Sequence, residues 1–279
     1  PGRRRQIAAR DVHTPRREAT YRALPMGTLE AHRGSASRDQ TRQVAQGRND
    51  AGAFGTEVVA AAGGEHGSVF LVLGGIGSGK TTFLKRFLNF VGADSLKQST
   101  IWFYIDLLAA PVDAANIERH VSSVILDGLR REYASLEVET LVSLRQAFAT
   151  ELAVLERTTL NPERLGPEEY ERRLSARLEK WMEDPVQYIP RILKVVRARG
   201  FGTVLCIDNV DQLPASYQAQ VFLLAQRLAA EMNAVTSVAL REESYYSASV
   251  QRTFTAYNNR SFHVASPHFP TLISRRMAY

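Results

Sequence analysis

Ser68-Val69-Phe70-Leu71-Val72-Leu73 runs straight into Gly74-Gly75-Ile76-Gly77-Ser78-Gly79-Lys80-Thr81, and Thr82-Phe83-Leu84-Lys85-Arg86-Phe87-Leu88-Asn89-Phe90-Val91 follows. The first segment is apolar and β-branched, as a buried strand is. The second matches the phosphate-binding pattern G-x-x-x-x-G-K-[ST] at every fixed position. In the third, Phe83, Leu84, Phe87, Leu88 and Val91 recur at helical spacing. Strand, glycine loop and helix is the context that gives this pattern its meaning.

The chemistry explains the residue types. Glycines let successive backbone N–H groups turn inward as an anion nest, and the helix that starts at the loop adds its positive dipole end. Gly74, Gly75, Ile76, Gly77, Ser78, Gly79, Lys80, Thr81 and Thr82 are therefore the expected nucleotide contacts, with ATP as the cofactor. Lys80 is expected to reach the β- and γ-phosphates, and the Thr81 hydroxyl to ligate Mg²⁺.

A second motif matches the first. In Thr203-Val204-Leu205-Cys206-Ile207-Asp208-Asn209-Val210-Asp211-Gln212-Leu213, five apolar or β-branched residues run into an acid. A buried parallel strand delivers a carboxylate to its C-terminal edge in this way, where α/β sheets bind ligands. Asp208 is the expected Mg²⁺ partner, directly or through water.

Other elements fall around these two. Ser99 to Leu107 reads as a second strand, ending at Asp106, which either approaches a metal-bound water or caps the next turn. Residues 113–199 read as helical and include an insert. Their apolar stripes are Ile117, Val121, Val124, Ile125 and Leu129, and then Ile189, Ile192, Leu193, Val195 and Val196. Gly200 after Arg197 and Arg199 marks a helix stop. Glu168, Glu169, Glu171, Arg172 and Arg173 read as a solvated face. A helix is expected from Pro214 to Met232, with Val221, Leu223, Leu224, Leu228 and Ala229 inward. A fourth strand, Ala234 to Arg241, follows. Arg241 at its end either senses a γ-phosphate or pairs with Glu242 or Glu243. Arg260 to Ala265 is a short fifth strand, and residues 270–277 begin a helix.

Bulk properties narrow the classes. The 279 residues carry 35 basic and 29 acidic side chains. Residues 1–50 hold eleven arginines and five acids, a balance of +6 that equals the net charge of the whole chain, so the remainder is neutral. A neutral core argues against a broad nucleic-acid face there, and the arginines of the leading segment are the candidate phosphate contacts for nucleic acid. Residues 1–62 read as an Arg-rich disordered segment, and residues 63–279 as the ATPase core. A single cysteine, Cys206, excludes an internal disulfide framework and fits a reducing, cytoplasmic location. No apolar run is long enough for a membrane span. The chain opens on Pro1, so a fragment or processed form is expected, with Met26 a candidate internal start.

The motif order resembles the additional-strand P-loop ATPases, the group that holds AAA+ and STAND (NACHT-like) proteins, over residues 55–279. Asp208-Asn209-Val210-Asp211 looks like the STAND form of the acidic motif, and Leu240-Arg241 with Glu242 and Glu243 looks like the sensor region of bacterial STAND-like ATPases. The resemblance implies a three-layer αβα sandwich on a five-stranded parallel sheet in the order 5-1-4-3-2, with a helical lid beyond Tyr279. It also implies a regulatory ATPase that self-associates into a homo-oligomer on binding Mg²⁺-ATP, in signalling or defence, with Lys80, Asp208, Asp211 and Arg241 as catalytic residues. Many AAA+ proteins carry Glu where Asn209 stands. An amide cannot accept a proton, so Asp211 or Asp106 is left as the base and slow hydrolysis is expected. The alternatives are a DNA-associated AAA+ loader or transposition-type ATPase and, less well matched, a small-molecule kinase.

Overall fold

The computed structural model describes residues 41–43, 52–88, 99–110, 114–250 and 260–265. Among these residues, six parallel strands form one sheet: β1 (Thr41–Gln43), β2 (Ser68–Leu73), β3 (Thr100–Asp106), β4 (Gly202–Asp208), β5 (Val235–Leu240) and β6 (Arg260–His263), in the order β1-β6-β2-β5-β4-β3. Counted from the strand that enters the glycine loop, β6-β2-β5-β4-β3 is the expected 5-1-4-3-2. The sixth strand, β1, was not anticipated; it lies parallel to β6, with Thr41 opposite Ser261. Three residues joined by backbone pairing leave no trace in composition.

Strands buried on both faces read as continuous apolar runs, and alternation sorts their side chains into two cores. Val69, Leu71 and Leu73 share one core with Leu205, Ile207, Val238 and Leu240. Against it pack α3 (Ala114–Arg131), α8 (Pro185–Ala198) and α9 (Ala215–Met232). Phe70, Val72, Val204, Cys206, Val235 and Phe262 face the other way, onto α1 (Gly52–Gly63) and α2 (Lys80–Arg86). The result is the three-layer αβα arrangement.

Helix α1 corrects the reading of residues 1–62 as wholly disordered. Phe54, Val58 and Ala62 recur every fourth residue and are buried, a stripe too short to stand out beside the polar sequence before it. Phe54 is the hub of an aromatic cluster, edge-on to Phe83, Phe87 and Phe262 at centroid distances of 5.2, 4.8 and 5.1 Å. Across the sheet, the Arg197 guanidinium of α8 donates to the Ala62 and Gly64 carbonyls at the end of α1. The other residues of 1–51, the stretch 89–98, and the helix expected over 270–277 lie outside the described residues.

The insert consists of α4 (Leu141–Ala147), α5 (Ala149–Arg157), α6 (Pro162–Leu165) and α7 (Pro167–Met182). Its anchor is an aromatic stack in which Phe148 lies 4.6 Å from Trp181 and 6.3 Å from Tyr188. Arg172 and Arg173 pair with Glu169 in the open, as a solvated face does. In α9 the expected inward set shifts. Leu223 is exposed, and Phe222, Ala225 and Met232 fill the interface instead. An additional helix, α10 (Glu242–Val250), follows β5.

Truncating Phe54 to Ala removes four ring contacts from a fully buried site. The variant should lose about 3–5 kcal/mol of stability, measured as a drop in the urea midpoint at unchanged slope.

Candidate functional site

Parallel register brings the candidate residues to one edge. Leu73 of β2 lies opposite Leu240 of β5, Ile207 of β4 opposite Val238, and Asp106 of β3 opposite Asp208. The glycine loop, Arg241, Asp208 and Asp106 therefore all emerge at the C-terminal ends of adjacent strands.

The loop itself shows why glycine recurs in it. Gly77 and Gly79 take φ of 73° and 92°, a region costly for residues with a Cβ. Gly74 is limited by space: a Cβ there would stand 2.7 Å from the Val264 carbonyl oxygen and 2.5 Å from Ser78 Oγ. Val264 follows β6, and its N–H donates to the Leu73 carbonyl at 2.8 Å, so the end of β6 closes against the loop. Ile76 is 76% exposed at the tip. The Ser78 hydroxyl is buried without a hydrogen-bond partner among the described residues. Thr81 is half-buried and Thr82 exposed in the first turn of α2.

Lys80 is 9% exposed. Its ammonium donates to the Gly74 carbonyl at 2.9 Å and the Gly75 carbonyl at 3.4 Å, and lies 3.5 Å from Asp211 Oδ2. The same Asp211 oxygen accepts from Arg241 Nε at 2.8 Å. One carboxylate thus joins the loop lysine to the cation at the end of β5. Among the described residues Arg241 pairs with Asp211 and not with the neighbours expected from sequence, Glu242 or Glu243. Glu242 instead meets His263 Nδ1 at 3.1 Å.

Asp208 is 1% exposed. Its Oδ1 accepts from the Asn209 main-chain N–H at 2.8 Å, and its Oδ2 from the Tyr104 hydroxyl at 2.8 Å. Burial first, and then the bond to Asp208, push the Tyr104 phenol above its ordinary pKa, so it stays a donor. Asn209, at φ 61°, donates its side-chain amide to Asp106 Oδ1 at 2.7 Å. The same oxygen accepts from the Leu108 N–H at 3.0 Å, so of the two readings of Asp106 the turn cap is the one observed.

Tyr104 escaped the sequence reading. The available signal was the alternation of Trp102, Tyr104 and Asp106 on one face of β3, but its relevance depends on the β3–β4 register, which no local pattern carries. Among the described residues no three His, Cys, Asp or Glu side chains cluster as a metal site. Cys206, buried in β4, has its thiol pushed up to about 12, by burial above all.

Strand order, glycine loop and flanking helices define an αβα fold of the P-loop NTPase class. No protein-family model matches the chain, and no curated protein matches it. Among solved structures, the crystal structure of Cdc6p from Pyrobaculum aerophilum overlays at a TM-score of 0.36 and 12% identity. The overlay covers 74% of this chain and 42% of that one. So shallow an overlay carries no assignment, and the fold class rests on the sheet order and the loop. Among the described residues no helix is long and apolar enough to cross a membrane.

Replacing Gly74 by Ala drives a methyl group into the Val264 backbone. The variant should lose roughly 1–3 kcal/mol of stability, read by thermal melting.

Proposed function

We propose that this chain is a Mg²⁺-ATP-dependent regulatory ATPase of the STAND/AAA+ type, a nucleotide switch that assembles with further copies of itself. The observation that carries the reading is the Lys80–Asp211–Arg241 bridge, with Lys80 3.5 Å and Arg241 2.8 Å from one carboxylate oxygen. Three loops from three strands meet there, and a polyphosphate needs cations converging in this manner.

The donor set fits the group. Backbone N–H groups of residues 75–81 and the Lys80 ammonium would hold the phosphates. The Thr81 hydroxyl and the Asp208 carboxylate would hold Mg²⁺. When bound, the metal neutralises charge on the phosphate oxygens. Lys80 and Arg241 hold further positive charge against the same anion, and a bound phosphate competes with Asp211 for both. That competition is a means of switching, because exchange of partners at Arg241 moves the end of β5 and the start of α10 together.

Asp211 is the better candidate base. Asp106 has an oxygen committed to Leu108 and Asn209, whereas Asp211 becomes free as its cations turn to phosphate. Two preconditions for proton transfer, release and reorientation, fit slow turnover better than a motor's cycle. The role in signalling or defence is carried by the resemblance of the motifs.

Lys80→Ala should cut ATP affinity roughly 100-fold; unchanged binding would overturn the reading. Asp211→Asn should retain ATP binding yet lose phosphate release, measured under single-turnover conditions. Light scattering should report a rise in mass on adding Mg²⁺-ATP to wild type and none with Lys80→Ala.

A further inference from the structure

Asp208 is held by a residue that belongs to none of the motifs. Tyr104 lies on β3, in register with Cys206 of the neighbouring strand, and its hydroxyl donates to Asp208 Oδ2 at 2.8 Å. With the Asn209 N–H on Oδ1, each carboxylate oxygen has one fixed donor. A carboxylate oxygen has room for two, so one acceptor direction on each remains for a metal or its water.

The tyrosine is itself held from the phosphate-loop side. Lys85 Nζ lies 4.8 Å from the Tyr104 ring centroid, within cation–π range. Lys85 stands one helical turn after Thr81 in α2, so the two share a helix face. Asp208 alternates with Val204 and Cys206, which pack on the α2 side of the sheet. Helix α2, Lys85, the Tyr104 ring and its hydroxyl therefore form a physical chain from the phosphate loop to the carboxylate on β4.

We propose that Tyr104 is a positioning residue for the metal-binding carboxylate, fixing the Asp208 rotamer relative to α2 so that Mg²⁺ and the loop engage one nucleotide together. The inference rests on the assignment of Asp208 to Mg²⁺ made above. A donor that orients a metal ligand typically alters metal affinity by about 10–100-fold when removed. The effect falls on the metal: the Tyr104 hydroxyl bonds Asp208, its ring packs on Lys85 and the core beneath α2, and among the described residues the loop's own hydrogen bonds do not involve it.

The test uses the full chain and a fluorescent ATP analogue, titrated once with Mg²⁺ and once in EDTA. Tyr104→Phe keeps the ring over Lys85 and removes only the hydroxyl. It should reduce the Mg²⁺-dependent gain in affinity by roughly tenfold or more and leave the EDTA affinity within about twofold of wild type. Equal losses in both titrations would mean a merely structural role and overturn the proposal. Asp208→Asn separates the two layers. If it abolishes the Mg²⁺ gain while Tyr104→Phe retains it, the positioning role fails and the Asp208 assignment stands. If both variants keep the gain, both fail. Should Tyr104→Phe not fold, Lys85→Met carries the test in the same titrations: a loss confined to the Mg²⁺ gain supports the proposal, and no loss overturns it.

Discussion

Strand β5 lies between the strand that leads into the glycine loop and the strand that ends in Asp208, and its hydrogen bonds to both fix the span across which the site is built. Adjacent strands stand about 4.8 Å apart, so β2 and β4 are about 10 Å apart. No side chain on either could bridge that gap alone. Asp211, on the turn after β4, meets both Lys80, after the loop, and Arg241, at the end of β5. The bridge of these three groups is a consequence of sheet order before it is one of charge.

Buried charge then shapes the site. Lys80 and Asp211 are both nearly inaccessible, with side chains 9% and 8% exposed. Isolated, either would be costly to bury; ion-paired with each other, with Lys80 donating to the Gly74 carbonyl and Arg241 donating to Asp211, they are compensated. In the proposed reading, a bound phosphate competes with this carboxylate for both cations.

The acidic motif divides its labour by backbone geometry. Asp208 is the last strand residue and keeps its side chain on the α2 face. Asn209 turns through a left-handed conformation and sends its amide to Asp106. Asp211 sits in the short helical turn Val210–Gln212 and points to the lysine. Asn209 is thereby a structural tie between β3 and β4, which gives that position a use that does not require proton transfer.

Much of this was legible in local sequence. The glycine loop, its two flanks and the apolar run into Asp208 are dictated by short-range requirements: a backbone that must curl, a strand that must be buried, a helix that must cover it. The stripes of α3 and α8 were likewise readable, because 3.6-residue spacing is a local property. Leu223 was misread because Leu223 and Leu224 are equally apolar and only docking selects the face. The order of α1 rests on Phe54, which acquires its value from Phe83, Phe87 and Phe262, residues about 30 to 200 positions away. Arg241 had two acidic neighbours in sequence, yet its partner is Asp211 from the turn after another strand. Tyr104 meets Asp208 only because β3 lies in register with β4. Sequence alone determined which chemical groups are present and which local shapes they impose; tertiary structure decided who meets whom, because partner choice depends on strand order and register, and these are set by burial summed over the whole sheet.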